Sequence, residues 1–287
     1  MQTIARLDPL RSALAALRAD GKVALVPTMG ALHQGHLTLV REANRLAEHV
    51  VVSIFVNPRQ FGAGEDLDAY PRQLEADCAL LRKEGVSLVW APEPAAMYPA
   101  GYSTNISVSG VSEGLCGGDR PGHFDGVATV VCKLFNQVMP DLALFGEKDW
   151  QQLAVIRRMA RDLDLTRPAA REIIGVPTVR EADGLAMSSR NAYLSADQRA
   201  RAAALPQAMR EAIAAIESGV PVAPSLDLLK AALIEAGFAR IDYAELRDAE
   251  NLATLTQIGA HPARLLVAAR IGSARLIDNM AVGGRED

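Results

Sequence analysis

The stretch Lys22-Val23-Ala24-Leu25-Val26-Pro27-Thr28-Met29-Gly30-Ala31-Leu32-His33-Gln34-Gly35-His36 reads as a buried strand that runs into a glycine-containing turn and then into a helix. Residues 22–27 form a short apolar run of the kind that lies inside a parallel sheet. Gly30 and Gly35 permit a tight turn and the close approach of a ligand to the backbone. His36 is expected to open the helix, whose first N–H groups and positive dipole end favour a phosphate. His33 and His36 lie three residues apart, a spacing that can aim both imidazoles at the same phosphate. A zinc pair suits the string less well, because it is not HExxH and no third ligand stands nearby.

The same alternation continues outward. Strands are expected over residues 50–56, 86–91 and 141–145, and helices over 37–47, 73–84, 127–138 and 150–163. Strands alternating with helices predict an α/β fold with a doubly wound parallel sheet covered on both faces. The pattern breaks near residues 175–177, after a short apolar run at 172–175. Beyond the break, Ser195 starts an alanine-rich helix with Gln198 placed to complete a capping box, and a second helix starts near Ser225. Runs at 241–247, 265–270 and 275–280 resemble antiparallel strands. The division expected is a domain over 1–175 that binds the ligands and a smaller α+β domain over 176–287 that closes over the site. Residues 283–287 read as a loose tail.

Polar, glycine-rich clusters follow three of the strands: residues 28–36, residues 57–62, and Gly146-Glu147-Lys148-Asp149. In an open parallel sheet the carboxyl ends of the strands share one edge, and ligands bind in the crevice there. The three clusters are therefore expected to converge. Other phosphate and hydrolase signatures are missing: there is no GxxxxGK[ST], no complete dinucleotide fingerprint and no GxSxG. Residues 110–126 hold six glycines with no apolar period, and Arg120 and His123 within them suggest a segment that closes over anions.

Composition narrows the classes further. The chain has 287 residues, 49% of them hydrophobic, enough for two cores, and a formal net charge of −4. That balance disfavours broad binding to nucleic acid or to anionic membranes. Cys78, Cys116 and Cys132 show no CxxC spacing, so neither a disulfide framework nor a zinc knuckle is suggested. No basic start with an apolar run marks a signal peptide, and no stretch is long enough to cross a bilayer.

The HxGH element, His33 to His36, resembles that of the nucleotidylyltransferase superfamily, which also includes the class I aminoacyl-tRNA synthetases. Longer strings, at residues 27–36, 53–61, 66–72, 120–125, 145–152, 179–191 and 276–280, resemble one of its families nearly end to end, the pantoate–β-alanine ligases. The resemblance implies a Rossmann-like domain of nucleotidylyltransferase type. It also implies a cytoplasmic homodimer that joins pantoate to β-alanine, using ATP and Mg²⁺ and passing through a pantoyl adenylate. ATP would be held by Met29, Gly30, Ala31, Leu32, His33, Gln34, Gly35 and His36, by Gly146, Glu147, Lys148 and Asp149, and by Val179, Met187, Ser188, Ser189 and Arg190. His36 takes the place of the family's catalytic histidine, with His33 beside it. Gln60 and Gln152 match the residues that hold pantoate, and Asn57 and Arg120 match positions around substrate. Asp77 matches a position near magnesium, although Ala76 stands where some members carry a second acid.

The implied chemistry needs no general base at its first step, because a carboxylate with a pKa near ~4 is already ionised at neutral pH. The barrier lies in bringing an anion to a polyanion and in stabilising charge as pyrophosphate leaves. That calls for cations and aimed donors, which Lys148, Arg190, His33, His36 and a magnesium ion would supply. A plain nucleotidylyltransferase would explain HxGH but not Gln60, Gln151 and Gln152. A tRNA-binding module would want a basic helix that the sequence lacks.

Overall fold

The structure is a computed structural model, which describes residues 1–62 and 67–283. The expected tail lies outside the described residues apart from Gly283, as does Asp66 of the 66–72 string. The first part of the chain runs β1 (Gln2–Ile4), α1 (Leu7–Asp20), β2 (Val23–Thr28), α2 (Gln34–Leu46), β3 (His49–Ile54), α3 (Leu74–Lys83) and β4 (Leu88–Trp90). It continues through the short helices α4 (Pro94–Met97) and α5 (Leu115–Asp119) to α6 (His123–Val138), β5 (Leu142–Gly146), α7 (Trp150–Asp162) and β6 (Ile173–Val176). These strands form one six-stranded sheet in the order β1-β4-β3-β2-β5-β6, and every pairing in it is parallel. The doubly wound α/β sheet expected from the sequence is present.

The apolar run of β2 is continuous because both faces of the strand are covered. Val23, Ala24, Leu25 and Val26 have no exposed surface. Val23 and Leu25 pack with Leu14 of α1, Phe135 of α6 and Ile156 of α7. Ala24 and Val26 pack the other way, with Val40 of α2 and Leu81 of α3. Strand side chains alternate between faces, so each two-residue step feeds one core and then the other. Burying one such Val or Leu stabilises by about 1.5–3 kcal/mol.

The sheet reverses its winding at β2. The chain steps from β2 to β3 on one side, while β5 lies on the other. The turns that leave β2 and β5 therefore part in opposite directions and open a crevice at their carboxyl ends. The short run expected at 172–175 is the sixth strand, β6. Neither β1 nor α1 was anticipated.

The remaining chain forms α8 (Ala196–Ala202), α9 (Ala204–Glu217), α10 (Val222–Glu235) and the strands β7 (Arg240–Asp248), β8 (Ala263–Ile271) and β9 (Ala274–Val282). The strands pair antiparallel in the order β7-β8-β9, and α9 and α10 cover them through Met209, Leu229 and Leu233 against Leu246, Leu265 and Leu276. This is the smaller α+β part. The Ser195 capping box forms, with Gln198 N–H on Ser195 Oγ at 3.2 Å and Ser195 N–H on Gln198 Oε1 at 3.0 Å. The alanine-rich helix is two helices that meet at Ala203. The next helix starts at Val222, three residues ahead of Ser225, with Pro221 at its N-cap. No helix among the described residues is long and apolar enough to cross a membrane. Cys78, Cys116 and Cys132 are buried, free thiols.

Trp90 at the end of β4 has no exposed surface, and its indole Nε1–H donates to Gln137 Oε1 of α6 at 3.0 Å. Gln137→Leu would keep the bulk but strand that donor in the core. We expect a loss of about 1–3 kcal/mol in unfolding free energy, read from the urea midpoint at unchanged slope. A midpoint equal to that of the parent would show that the pair contributes nothing.

Candidate active site

The turn after β2 is held from below. Thr28 Oγ1 donates to Ser53 O at 2.8 Å and accepts from the Gly30 N–H at 3.2 Å. Gly30 and Ala31 then adopt left-handed φ values of 86° and 53°, which turn the chain sharply toward α2. A side chain at Gly30 would also bring its Cβ to 3.0 Å from Asp77 Oδ2. Asp77 itself has no exposed surface and accepts the N–H groups of Ala31 and Leu32, both at 2.9 Å. Gln73 Nε2 adds a third donor at 3.2 Å. Asp77 is the position that the resemblance sets near magnesium; here it faces the backbone of the turn. Both of its oxygens are engaged by N–H groups inside the protein, and its task is to brace the turn.

The helix starts earlier than the sequence suggests. Gln34 is the first residue of α2, His33 is its N-cap and His36 lies in its first turn. Gly35 N–H donates to His33 Nδ1 at 3.1 Å, and His33 N–H donates to His36 Nδ1 at 3.3 Å. Gly35 has to be glycine for this, since a Cβ there would lie 2.8 Å from His33 Cε1. The two rings sit with centroids 4.1 Å apart. Burial first, and then the Lys148 charge, push His33 down from its ordinary 6.5 to about 4. Burial, His33 and Lys148 push His36 to about 3. Both imidazoles are therefore neutral at pH 7. With Nδ1 accepting, each carries its proton on Nε2. They are aimed donors, not the cations that the sequence allowed.

Two adjoining chambers open above this turn, with volumes of about 770 Å³ and 230 Å³. The smaller one is bordered by Met29, His33, Gly35 and His36, by Gln60, by Gly146, and by Val179 and Met187. Lys148, Asp149, Gln152, Ser188 and Arg190 border both chambers. The three clusters do converge, and a fourth segment at residues 177–190 joins them. Val127, Val131, Leu134 and Phe145 give the smaller chamber an apolar wall. Ser188 Oγ caps the turn Ser189–Tyr193 by accepting from Arg190 N–H at 3.3 Å.

Not every expected residue faces the cavity. Gln34 is exposed, and Ala31 and Leu32 are buried under the turn. The Glu147 carboxylate turns to Arg264 at 3.5 Å. Asn57 is buried and works through Gln60: its Nδ2 donates to Gln60 Oε1 at 3.2 Å and to Gly126 O at 3.0 Å. Gln60 Nε2 then lies 2.9 Å from Met29 Sδ. Gln151 and Gln152 differ sharply. Gln151 is buried, accepts from Cys116 N–H and donates to the carbonyl of Val111, whereas no described residue hydrogen-bonds to the carboxamide of Gln152.

The glycine-rich stretch at 110–126 is not an open loop. It contains α5 and the first turn of α6, which starts at His123 and not at residue 127. Arg120 borders the larger chamber. Its Nη2 donates to Gln60 O at 3.2 Å, and His123 Nδ1 approaches the same carbonyl at 2.8 Å. A Cβ on Gly126 would fall 2.2 Å from Arg59 O, so only glycine lets α6 lie directly on the turn that carries Gln60. That close contact had no signal in composition or period.

An open parallel sheet with this crevice at its switch point, ringed by two neutral imidazole donors and a lysine, defines a protein built to hold a phosphate-bearing ligand. The family model for pantoate-beta-alanine ligase matches residues 2–281, and the chain belongs to that family. It is similar to the pantothenate synthetase of Novosphingobium aromaticivorans, 69% identical over 284 residues and 99% of both chains. It also resembles the crystal structure of pantothenate synthetase from Thermus thermophilus, at 48% identity and a TM-score of 0.90 over 98% of this chain and 99% of that one. A third likeness is to pantoate-beta-alanine ligase from Francisella tularensis complexed with beta-gamma ATP and beta-alanine, at 32% identity and a TM-score of 0.82 over 98% and 97% of the two chains.

The histidine pair sets a test by pH. Both folded-state values lie below 6.5, so an unfolded chain takes up protons that the folded one refuses. Their contribution lowers stability as pH falls from 6.5 toward about 4. Imidazole NMR signals of the ligand-free enzyme should report Nε2–H tautomers that persist to about pH 5. A midpoint near 6.5 for either ring would contradict the assignment.

Proposed function

We propose that this pantoate–β-alanine ligase activates pantoate with ATP as an enzyme-bound pantoyl adenylate and then transfers the acyl group to β-alanine, releasing AMP and pyrophosphate. The observation that carries the reading is the strip of residues common to both chambers. Lys148, Gln152, Ser188 and Arg190 lie where an acid in the smaller chamber and a phosphate chain from the larger one would meet. The apolar wall of Val127, Val131, Leu134 and Phe145 suits the branched carbon of pantoate. Gln60 and Gln152 present carboxamides, which can donate to its carboxylate and accept from its hydroxyls. Val179 and Met187, also on the wall of the smaller chamber, offer apolar contact for adenine.

In the first step a pantoate carboxylate oxygen bonds to the α-phosphorus, and the bond from that phosphorus to the bridging oxygen breaks toward pyrophosphate. Lys148 and Arg190 meet the charge with cations, and the Nε2–H groups of His33 and His36 donate to phosphate oxygens. Removing one donor of this kind typically costs about 3 kcal/mol of transition-state stabilisation. In the second step the β-alanine nitrogen bonds to the acyl carbon, the carbon–oxygen bond to AMP breaks, and the amine proton is lost. Activation is needed because the oxygen of a free carboxylate is a poor leaving group, whereas AMP leaves readily from the mixed anhydride. The described residues include no cluster of three acidic, His or Cys side chains that could cage a metal. Mg²⁺ would then enter with ATP, beside Asp149, and supply positive charge to the phosphates. We further propose a domain division at 175/176, one residue before the end of β6, and a cytoplasmic homodimer, the arrangement implied by the family resemblance.

Mass spectrometry of products from ATP, Mg²⁺, pantoate and β-alanine, with each omitted in turn, tests the reading. Pantothenate and AMP should appear only in the full mixture. Labelled pyrophosphate should exchange into ATP with pantoate alone, since reversal of the adenylate is its only route. ADP as product would refute the reaction type. Full activity with neither exchange nor a chemically trapped adenylate would favour a concerted route.

A further inference from the structure

Strand β9 belongs to the small sheet, yet two successive residues on it reach the site. Asn279 is 3% exposed, and its Nδ2 donates to the main-chain carbonyls of Glu147 and Lys148, both at 2.9 Å. Both partners are acceptors, so the amide nitrogen and not the oxygen must face them. Those carbonyls sit in the single 3₁₀ turn Glu147–Asp149 that joins β5 to α7. The turn therefore carries Lys148 on backbone that the other sheet holds.

The preceding residue reaches the opposite side of the crevice. Asp278 accepts from both terminal nitrogens of Arg180, at 2.7 and 2.9 Å, a bidentate pair with fixed geometry. Arg180 faces Ala186 in an antiparallel bridge, and Met187 N–H donates to Val179 O at 2.9 Å. Fixing Arg180 thus fixes the narrow loop that delivers Ser188 and Arg190. The backbone N–H of Asn279 donates to Asp278 Oδ1 at 2.8 Å, so the two anchors are locked to each other.

We propose that Asp278 and Asn279 are a positioning pair, which sets Lys148 and Arg190 facing each other across the strip common to the two chambers. Neither residue needs to touch a substrate. Asn279 acts through the backbone under Lys148, and Asp278 acts through Arg180. This rests on the reading that Lys148 and Arg190 handle the phosphates of ATP. A shift of roughly 1 Å in the turn would carry the lysine away from the reacting phosphate, an error that can cost about a hundredfold in rate.

The test is steady-state kinetics with ATP, pantoate and β-alanine varied separately, for Asn279→Ala, Lys148→Ala and the double variant. Asn279→Ala should lower kcat by about tenfold to a hundredfold and raise the KM for ATP, leaving the KM for β-alanine within about twofold. Added to Lys148→Ala, it should cost less than about threefold more, because the side chain being positioned is already gone. Asn279→Ser restores one donor and should recover part of the loss; it carries the same comparison if the alanine variant does not fold. Normal kinetics in Asn279→Ala beside a crippled Lys148→Ala would overturn the proposal alone, as would a loss that falls equally on all three substrates or adds in full to that of Lys148→Ala. Normal kinetics in Lys148→Ala would remove the reading of the site and the proposal with it.

Discussion

One buried carboxylate holds the turn on which the site is built. Where the chain leaves β2, Gly30 and Ala31 are both left-handed, and the N–H groups of Ala31 and Leu32 can join neither the sheet ladder nor the helix. Unpaired in the interior, each would cost about 1–3 kcal/mol. Asp77 satisfies both, at 2.9 Å each. The path of α2 follows from that anchor. His33 falls at the N-cap, its ring caps Gly35, and its own N–H locks the ring of His36. A residue on α3 thereby decides which nitrogen of two distant imidazoles faces the crevice.

The electrostatics follow from the same packing. Two histidines so close together would repel if both were protonated, and Lys148 would repel them as well. Burial and the lysine together keep them neutral. The fixed positive charge is left to Lys148 and Arg190, on segments that enter from other directions. Donors and cations are thus separated by element. The imidazoles belong to the turn after β2, the lysine to the turn after β5, and the arginine to the loop beyond β6. The small sheet holds the last two in place through β9, and a second link, Trp150 Nε1–H donating to Ala249 O at 2.9 Å, ties the start of α7 to the end of β7.

Much of this was legible in the residues, for identifiable reasons. The strands β2, β3 and β5 are buried on both faces and so read as plain apolar runs. The convergence of their following turns is a property of any open parallel sheet, so it could be inferred without a motif. What escaped depended on contacts between distant segments. β1 has only three residues, too few for a period. The start of α6 was hidden by glycines at 122 and 126 that look like loop residues, although Gly126 is glycine because α6 lies against the backbone of Arg59 and Gln60. Asp77 and Asn57 carry polar side chains that point away from the cavity, and type alone cannot separate a brace from a ligand. Gln151 and Gln152 are neighbours of the same type and both border the larger chamber, yet the carboxamide of Gln151 is taken up by the backbone of Val111 and Cys116.

On the mechanism proposed, the turn after β2 presents two neutral Nε2–H donors to the phosphate at which pantoate is activated. A crystal structure with pantoate and a non-hydrolysable ATP analogue tests it most directly. We expect α-phosphate oxygens within hydrogen-bond distance of Nε2 on His33 or His36, with both Nδ1 atoms still bound to backbone N–H groups and the pantoate carboxylate beside Gln152. An α-phosphate seated away from the turn after β2, or imidazoles rotated to present Nδ1, would contradict it.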